Sequence, residues 1–266
     1  MKIGLIGAGK MAEAMIGGFL SKRLARPDEI MASEVSASRR KHLRRQLGIQ
    51  TVALGGPVVE HARTIILAVK PQDLGPALEQ LSGQIGRRHL VISIAAGRKI
   101  EWLQDALPDA RIARVMPNLA CVVGESMSAY AMGARTRPSD GKTTERLLRS
   151  CGEVIELPEE EFDAVTALSG SGPAFYAYFT QQLIEAAVSE GLSRDTALIL
   201  ARQTMLGTGA VLKKQDADLS DFIDAVSSAK GTTAAGMQVL NQSSIPAIVR
   251  KTIRAAARRS RELSEE

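Results

Sequence analysis

Aromatic residues, cysteine and histidine are all scarce in this chain. Phe, Trp and Tyr make up 3% of its 266 residues, so we expect a core of Ala, Leu, Ile and Val. The two cysteines, Cys121 and Cys151, are too few for a disulfide framework and lack the CxxC spacing of a zinc site. The three histidines are scattered and have no motif partner, which argues against a metal site. We therefore expect buried, inert thiols and no bound metal.

Long apolar runs are also missing. No stretch reaches the roughly 18 uncharged apolar residues that a membrane span requires. The first glycine-rich turn begins at Gly7, too early for a removable signal peptide to precede it. We therefore expect a cytoplasmic protein that does not contact a membrane.

The net charge of +5 comes mainly from two basic clusters, within residues 39–45 and 250–261. Both clusters lie on segments that read as helices, where basic residues commonly form a solvated face. Aromatic side chains that could stack on bases are absent from them. Nucleic acid is therefore not an expected partner.

Residues 3–12 combine a short apolar run with the pattern Gly7-x-Gly9-x-x-Ala12. The run predicts a buried parallel strand, Gly7 permits a tight exit from it, and Gly9 lets the backbone approach a pyrophosphate. A helix over Lys10–Ser21 would then direct its amino-terminal amides at the phosphates. This segment predicts a dinucleotide-binding turn; the alternative is a turn with a structural role alone.

Two domains are expected from the length and from a change in pattern along the chain. Apolar runs alternate with helical patterns in the first half, which predicts an α/β domain with a mostly parallel, doubly wound sheet over residues 1–159. The second half, residues 160–266, keeps only helical spacing and is predicted to be all-α. The predicted strands are Lys2–Ile6, Glu29–Ser33, Thr64–Val69, Leu90–Ile94, Arg111–Met116 and Ser126–Tyr130.

The ligand crevice of an open α/β sheet lies at the carboxyl ends of its strands. Four segments follow predicted strands there besides the glycine turn: Ser33–Glu34, Ala68–Pro71, Ala95–Gly97 and Met116–Asn118. Pro71 would end a strand, while the small residues Ala95 and Ala96 would leave room for a flat ring. These segments predict the walls of one pocket.

The chain resembles the pyrroline-5-carboxylate reductase family. The resemblance covers nearly the whole length, and it rests most strongly on Leu168–Pro173 (LSGSGP) together with Gly231–Thr233. It implies a Rossmann dinucleotide-binding domain followed by a helical domain that forms a homodimer and often a higher oligomer. The implied reaction is hydride transfer from NADPH or NADH to the C=N carbon of a five-membered cyclic imine acid.

Site residues follow from the matched segments. By the resemblance, Thr233 is the catalytic candidate, since a hydroxyl can hydrogen-bond the imine nitrogen without a titrating histidine; its alternative role is a helix cap. The substrate-binding candidates are Ser228, Lys230, Gly231, Thr232 and Thr233. The cofactor-binding candidates are Gly7, Ala8, Gly9, Lys10, Met11, Ala12, Ser33, Glu34, Ala68, Val69, Lys70, Pro71, Ala95, Ala96 and Asn118.

Two segments depart from the family pattern. The family's Ser-Pro-Gly-Gly appears here as Ser228-Ala229-Lys230-Gly231, and its Met-Pro-Asn-Thr-Pro appears as Met116–Ala120 (MPNLA). Both changes touch the region that would hold the substrate. A related cyclic imine, or a non-catalytic nucleotide-binding role, therefore stays open beside proline synthesis.

The choice between NADH and NADPH depends on the end of the second strand. Glu34 lies where an acidic residue would accept from a ribose hydroxyl and repel a 2′-phosphate, which favours NADH. Ser33, Ser36, Arg39 and Arg40 lie close in sequence and could instead hold that phosphate. On Glu34, the sequence slightly favours NADH over NADPH.

A serine hydrolase is the rival class of enzyme. Ser169–Gly172 superficially suggests a nucleophile turn but does not match G-x-S-x-G, and no histidine is paired with it by any motif. We therefore expect an oxidoreductase.

Overall fold

The fold was obtained as a computed structural model that describes residues 1–215 and 218–265. Contacts divide the chain into a first unit, Met1–Ser171 with Arg254–Glu266, and a second unit, Gly172–Ile253. The predicted domain boundary after residue 159 stays a prediction. The strands of the first unit are β1 Ile3–Ile6, β2 Ile30–Ser33, β3 Gln50–Val52, β4 Thr64–Leu67, β5 Leu90–Ser93, β6 Arg111–Met116, β7 Ser126–Met132 and β8 Gly152–Glu156.

The helices alternate with these strands and then continue alone. Those in the first unit are α1 Lys10–Ser21, α2 Ala37–Leu47, α3 Gly56–His61, α4 Pro71–Glu79, α5 Ile100–Ala106, α6 Pro138–Leu148 and α7 Phe162–Val165, the last running into a π-helical turn at Thr166–Gly170. The later helices are α8 Gly172–Ser189, α9 Arg194–Gln215, α10 Leu219–Val226, α11 Thr232–Gln242 and α12 Ile245–Glu265. The predicted α/β half followed by an all-helical half is confirmed.

The eight strands form one sheet in the order β3-β2-β1-β4-β5-β6-β7-β8. All neighbouring pairs are parallel except β6 and β7. One face of the sheet is covered by apolar residues of α1, α2 and α6, the other by those of α3, α4 and α5. This is the predicted doubly wound arrangement, which explains why β1, β4 and β5 are buried on both faces.

Strands β3 and β8 are absent from the sequence prediction, which was wrong there. Both lie at the edges of the sheet. Neither is fully buried, because β3 has an exposed Gln50 and β8 has exposed Glu153 and Glu156. Since an edge strand needs no continuous apolar run, a search for such runs misses it.

The carboxyl ends of the central strands are level with one another. Ile6 pairs with Ser33 on one side and with Leu67 on the other, and Leu67 pairs with Ser93. The register therefore brings the ends of β1, β2, β4 and β5 to one edge of the sheet. The loops that follow these ends are the ones predicted to bind the cofactor.

A buried ion pair holds the acidic run near residue 159 against the sheet. Arg114 of β6 is 5% exposed, pairs with Glu159 at 2.8 Å, and has its guanidinium 4.9 Å from the centre of the Phe162 ring. Glu159 Oε1 also accepts the backbone N–H of Ile100 at 2.8 Å, at the start of α5. The first residue of the acidic run is therefore a structural partner of the sheet and of α5.

The second unit has little core of its own. Among its described hydrophobic residues only Ile184 and Ala197 are buried. Large apolar side chains remain exposed on it, including Tyr176, Tyr178, Leu183, Ile199, Leu206 and Val239. So large an exposed apolar surface is typical of a domain that is completed by a partner.

The end of α12 packs within the first unit. Ser260 is 5% exposed, and its hydroxyl donates to Asp163 Oδ1 at 2.6 Å. Gly97 has a φ of +77°, and a Cβ built on it would lie 2.7 Å from the carbonyl oxygen of Leu263. The carboxyl-terminal turns of α12 thus contact the loop that follows β5.

Two further properties concern membranes and metals. No helix within residues 1–215 and 218–265 has the length and apolar character needed to cross a membrane. In the same described part of the chain, His, Cys, Asp and Glu side chains form no group of three suited to a metal ion.

Gly97 should be far less tolerant of a side chain than Gly83. Both have positive φ, +77° and +73°, but a Cβ on Gly83 meets no atom within 4 Å. We expect Gly83→Ala to cost about 1 kcal/mol through backbone strain alone, and Gly97→Ala to cost about 3 kcal/mol because it also displaces Leu263. Urea unfolding of the two variants measures the difference. Equal losses would show that Leu263 does not constrain the loop.

Candidate active site

The turn after β1 is built around Gly7. Its φ is +87°, and a Cβ on it would lie 2.6 Å from Val69 Cγ1 and 2.8 Å from Val69 N. Its N–H donates to Ser33 O at 3.0 Å, at the end of β2. Only glycine fits both the backbone conformation and the space. The turn therefore brings together three of the segments predicted to bind the cofactor.

The amino end of α1 is open toward a ligand. Gly9 is the residue before the helix; it supplies no side-chain cap, and a Cβ on it would meet nothing within 4 Å. Lys10 is exposed, Met11 is half-buried, and Ala8 and Ala12 are buried. The first amides of α1 thus face free space with the positive end of the helix dipole behind them, which fits a pyrophosphate group.

The loop after β4 lies directly against this turn. Ala68 donates its N–H to Ile6 O at 2.8 Å, and Val69 is the residue that crowds Gly7. Lys70 precedes α4 and is exposed, and Pro71 is the first residue of that helix. Proline is favoured there because its φ suits a helix start and its missing N–H costs no hydrogen bond.

Glu34 lies just beyond β2, half-buried, with one carboxylate oxygen accepting the N–H of Ser36 at 2.9 Å. The hydroxyl of Ser33 is turned inward, where it donates to Leu5 O at 3.4 Å. Of the two residues, it is therefore Glu34 whose side chain is available to a ribose at this edge.

Arg39 and Arg40, which the sequence predicts as alternative ligands of a 2′-phosphate, donate hydrogen bonds within the chain. Arg39 donates to Ala8 O at 2.9 Å and to Glu13 at 2.7 Å. Arg40 donates to the carbonyl oxygens of Glu34 at 2.6 Å and Val35 at 2.8 Å. These contacts use Nε and Nη2 of Arg39 and Nη1 of Arg40. The choice between NADH and NADPH stays a prediction.

Glu13 is a residue that sequence reasoning missed. Its carboxylate accepts from Arg39 and lies 2.8 Å from His42 Nε2. Burial raises its pKa, but the hydrogen bonds to His42 and Arg39 outweigh burial and leave the pKa below its usual range. Glu13 is thus an anion that ties α1 to α2 beside the glycine turn. Only its position in the first turn of α1 signals this role in the sequence.

The loop after β5 is lined by small residues, as predicted. Ala95 is buried and donates its N–H to Ser93 Oγ at 3.4 Å, while Ala96 is half-buried. The contact of Gly97 with Leu263 ends this loop. The role of Leu263 could not be read from the sequence, because it depends on where α12 ends in space.

Asn118, after β6, contacts the most specific of the family motifs. Its side-chain amide donates to the carbonyl oxygen of Ser169 at 3.3 Å and to the Ser169 hydroxyl at 3.4 Å. A Cβ on Gly170 would lie 2.6 Å from Met116 Cε. Residues 116–118 and 168–170 therefore form one packed corner of the first unit, although some 50 residues separate them in sequence.

The predicted substrate segment, residues 228–233, belongs to the second unit. Gly231 donates its N–H to Ser228 O at 2.9 Å, which closes a tight turn, and Lys230 within it has a φ of +64°. A Cβ on Gly231 would clash with the Ser228 hydroxyl. Lys230 thus holds a left-handed conformation in which a side chain is costly, at the position where the family pattern has glycine.

Thr233 is the second residue of α11, and its side chain is exposed. The residue that precedes the helix is Gly231, without a side-chain cap, so the alternative role of Thr233 as the helix cap is wrong. Since no side chain caps them, the first amides of α11 can donate hydrogen bonds to an anion; binding of a substrate carboxylate there stays a prediction.

Comparisons with known proteins agree with this architecture. Residues 159–263 match the family model described as pyrroline-5-carboxylate reductase dimerisation, and residues 2–97 match the model described as NADP oxidoreductase, coenzyme F420-dependent. A pyrroline-5-carboxylate reductase of Coxiella burnetii has a solved structure that aligns with a TM-score of 0.94 at 28% identity, over 99% of this chain and 98% of that one.

A second solved structure, Plasmodium falciparum pyrroline carboxylate reductase with NADP bound, aligns with a TM-score of 0.87 at 29% identity, over 99% of this chain and 98% of that one. The pyrroline-5-carboxylate reductase of Methanosarcina acetivorans is 38% identical over 99% of this chain and 98% of its own length. On this full-length similarity, the chain belongs to the pyrroline-5-carboxylate reductase family.

Proposed function

We propose that this protein reduces 1-pyrroline-5-carboxylate to L-proline with NAD(P)H, the last step of proline biosynthesis. The observation that carries the proposal is the 38% identity to a pyrroline-5-carboxylate reductase over 99% of the chain. The geometry supports it, because an uncapped helix start at Gly9 adjoins the loops after β2 and β4, as a dinucleotide requires.

Each segment of the first unit has a distinct task in the proposed reaction. The amides of residues 9–12 bind the pyrophosphate, Glu34 accepts from a ribose hydroxyl, and the loops at Ala95–Ala96 and Asn118 enclose the nicotinamide. The adjoining wall, which lies against the glycine turn, is formed by Ala68, Val69, Lys70 and Pro71. When bound, the reduced nicotinamide supplies a hydride to the C=N carbon of the imine.

Residues of the second unit would act on the substrate. The free amides at the start of α11, around Gly231 and Thr232, hold its carboxylate, together with the ammonium of Lys230. As the imine is reduced, its nitrogen becomes more basic and requires a proton or a hydrogen bond. The Thr233 hydroxyl donates that hydrogen bond.

We further propose that the protein acts in the cytoplasm as a homodimer formed through the helical domain, residues 160–266, and that dimers assemble further. The exposed apolar surface of the second unit supports this, since only Ile184 and Ala197 are buried among its described hydrophobic residues. A second copy would bury that surface in an isologous interface.

The wild-type protein should oxidise NAD(P)H in the presence of 1-pyrroline-5-carboxylate. Absorbance at 340 nm follows the reaction, with the six-membered homologue of the imine as the comparison substrate. We expect kcat/KM to be higher for the five-membered ring with either cofactor. A preference for the six-membered ring would assign the enzyme to another imine, and turnover of neither would leave a nucleotide-binding protein without this activity.

Thr233→Val should lower kcat about 100-fold, because the variant keeps the shape of the side chain but loses the hydroxyl. Thr233→Ser, which keeps a hydroxyl, is the matched control and should retain most of the rate. The KM for NAD(P)H should not change in either variant. Steady-state kinetics distinguish the outcomes, and an undiminished rate in the valine variant would remove Thr233 from the mechanism.

Glu34→Ser should shift the ratio of kcat/KM for NADPH to that for NADH about tenfold toward NADPH, since a repulsion of about 1.4 kcal/mol is removed. Glu34→Gln removes the charge but keeps the hydrogen-bonding oxygen, so a similar shift in that variant assigns the effect to charge. We expect the wild type to prefer NADH. A strong wild-type preference for NADPH would refute the assignment.

A further inference from the structure

A cavity of about 420 Å³ lies at the amino-terminal edge of the sheet, opposite the edge where the cofactor would bind. Its polar lining is strongly basic. The charged residues around it are Arg63, Arg87, Arg88, Arg111, Arg137 and Asp140. Five guanidinium groups around one carboxylate are unusual, because like charges at close range repel one another unless an anion lies between them.

The fold brings these arginines together through the starts of three parallel strands. Thr64 pairs with Leu90, and Leu90 pairs with Arg111, so β4, β5 and β6 begin side by side. Arg63 immediately precedes β4, and Arg87 and Arg88 lie just before β5. Arg137 precedes α6 at the same edge. The cluster therefore results from the register of the strands, and no local sequence motif predicts it.

Arg111 has a structural part in this cluster. Its side chain is 14% exposed and forms an ion pair with Asp140. Its remaining donors bind the carbonyl oxygens of Arg87 at 3.2 Å and Arg88 at 3.0 Å. Arg111 therefore neutralises the one carboxylate of the cavity and fixes the backbone of the two neighbouring arginines.

Three of the other arginines retain an unpaired charge. Arg87 pairs with Asp109 at 3.2 Å, outside the cavity lining. Among the residues that the structure describes, no carboxylate lies within 4 Å of the side-chain nitrogens of Arg63, Arg88 or Arg137. These three exposed side chains line the cavity and carry positive charge that no carboxylate of the described residues pairs with.

His89 lies beside the cavity, next to Arg88 in the sequence. It is buried, and its Nδ1 accepts the N–H of Gly86 at 2.9 Å. Burial first, and then the charges of Arg88 and Arg111, lower its pKa. Its hydrogen bond to Gly86 ties the buried ring to the turn before β5.

We propose that this cavity, termed the arginine cavity, binds a small polyphosphate: pyrophosphate, tripolyphosphate or the phosphate chain of a nucleotide. Guanidinium groups bind phosphate oxygens through paired hydrogen bonds, and several arginines around one site select for more than one phosphate. The volume of about 420 Å³ lies within the range of small-molecule pockets and is too small for a duplex. The site is separate from the cofactor edge of the same sheet, so one chain binds both ligands together.

Calorimetric titration of the full-length protein with inorganic tripolyphosphate at low ionic strength tests the proposal. The titration is made with saturating NADPH present, because the amino end of α1 also attracts phosphates. We expect one tripolyphosphate per chain to bind under these conditions. Absence of binding with NADPH present would overturn the proposal.

Variants then locate the bound anion. Arg88→Gln combined with Arg137→Gln should weaken tripolyphosphate binding by about tenfold or more. Lys41→Gln combined with Arg45→Gln removes the same charge from exposed positions of α2 and should change the affinity less than about twofold. If both double variants weaken tripolyphosphate binding equally, the effect comes from net charge alone, which would contradict the proposed site. Each single variant, Arg88→Gln and Arg137→Gln, should lose an intermediate amount of tripolyphosphate affinity. The melting temperature of each variant without ligand confirms that it is folded.

Discussion

The architecture of the site depends on the close approach of Gly7 to the loop after β4. Because Gly7 has a φ of +87° and lies against Val69, no side chain fits at this position. With glycine there, the chain leaves β1, donates a hydrogen bond to the end of β2 and begins α1 within three residues. The level register of β1, β2, β4 and β5 then sets the other loops along the same edge. Gly7, together with the parallel pairing of β1, β2, β4 and β5, forms the edge of the sheet where a dinucleotide fits.

Much of this could be predicted from the sequence, since the signals are local. The apolar run before Gly7 predicts β1, and the bounds predicted for α1, Lys10–Ser21, are those found. The edge strands β3 and β8 were missed because partly exposed strands lack a continuous apolar run. The contacts of Asn118 with Ser169 and of Gly97 with Leu263 were also missed, since each joins residues that only the tertiary fold brings together. The family resemblance supplied the motifs but not these pairings.

The substrate segment shows how a departure from a family pattern is accommodated. Lys230 keeps a left-handed backbone, at φ +64°, where the pattern has glycine. The tight turn closed by Gly231 and Ser228 is retained, so α11 still begins with uncapped amides. The chain thus accepts backbone strain at Lys230 and keeps the tight turn that precedes α11. The departure from the family pattern therefore leaves the backbone of the turn and the start of α11 intact.

The central claim is that this chain transfers a hydride to the C=N carbon of a five-membered cyclic imine acid. The most direct test uses NAD(P)H carrying deuterium at both C4 positions of the nicotinamide, with 1-pyrroline-5-carboxylate as substrate, and locates the label in the product by NMR and mass spectrometry. Transfer predicts proline carrying one deuterium, at its δ-carbon. Proline with deuterium at another carbon would contradict this claim. So would the absence of labelled proline from an imine preparation that a related enzyme does reduce.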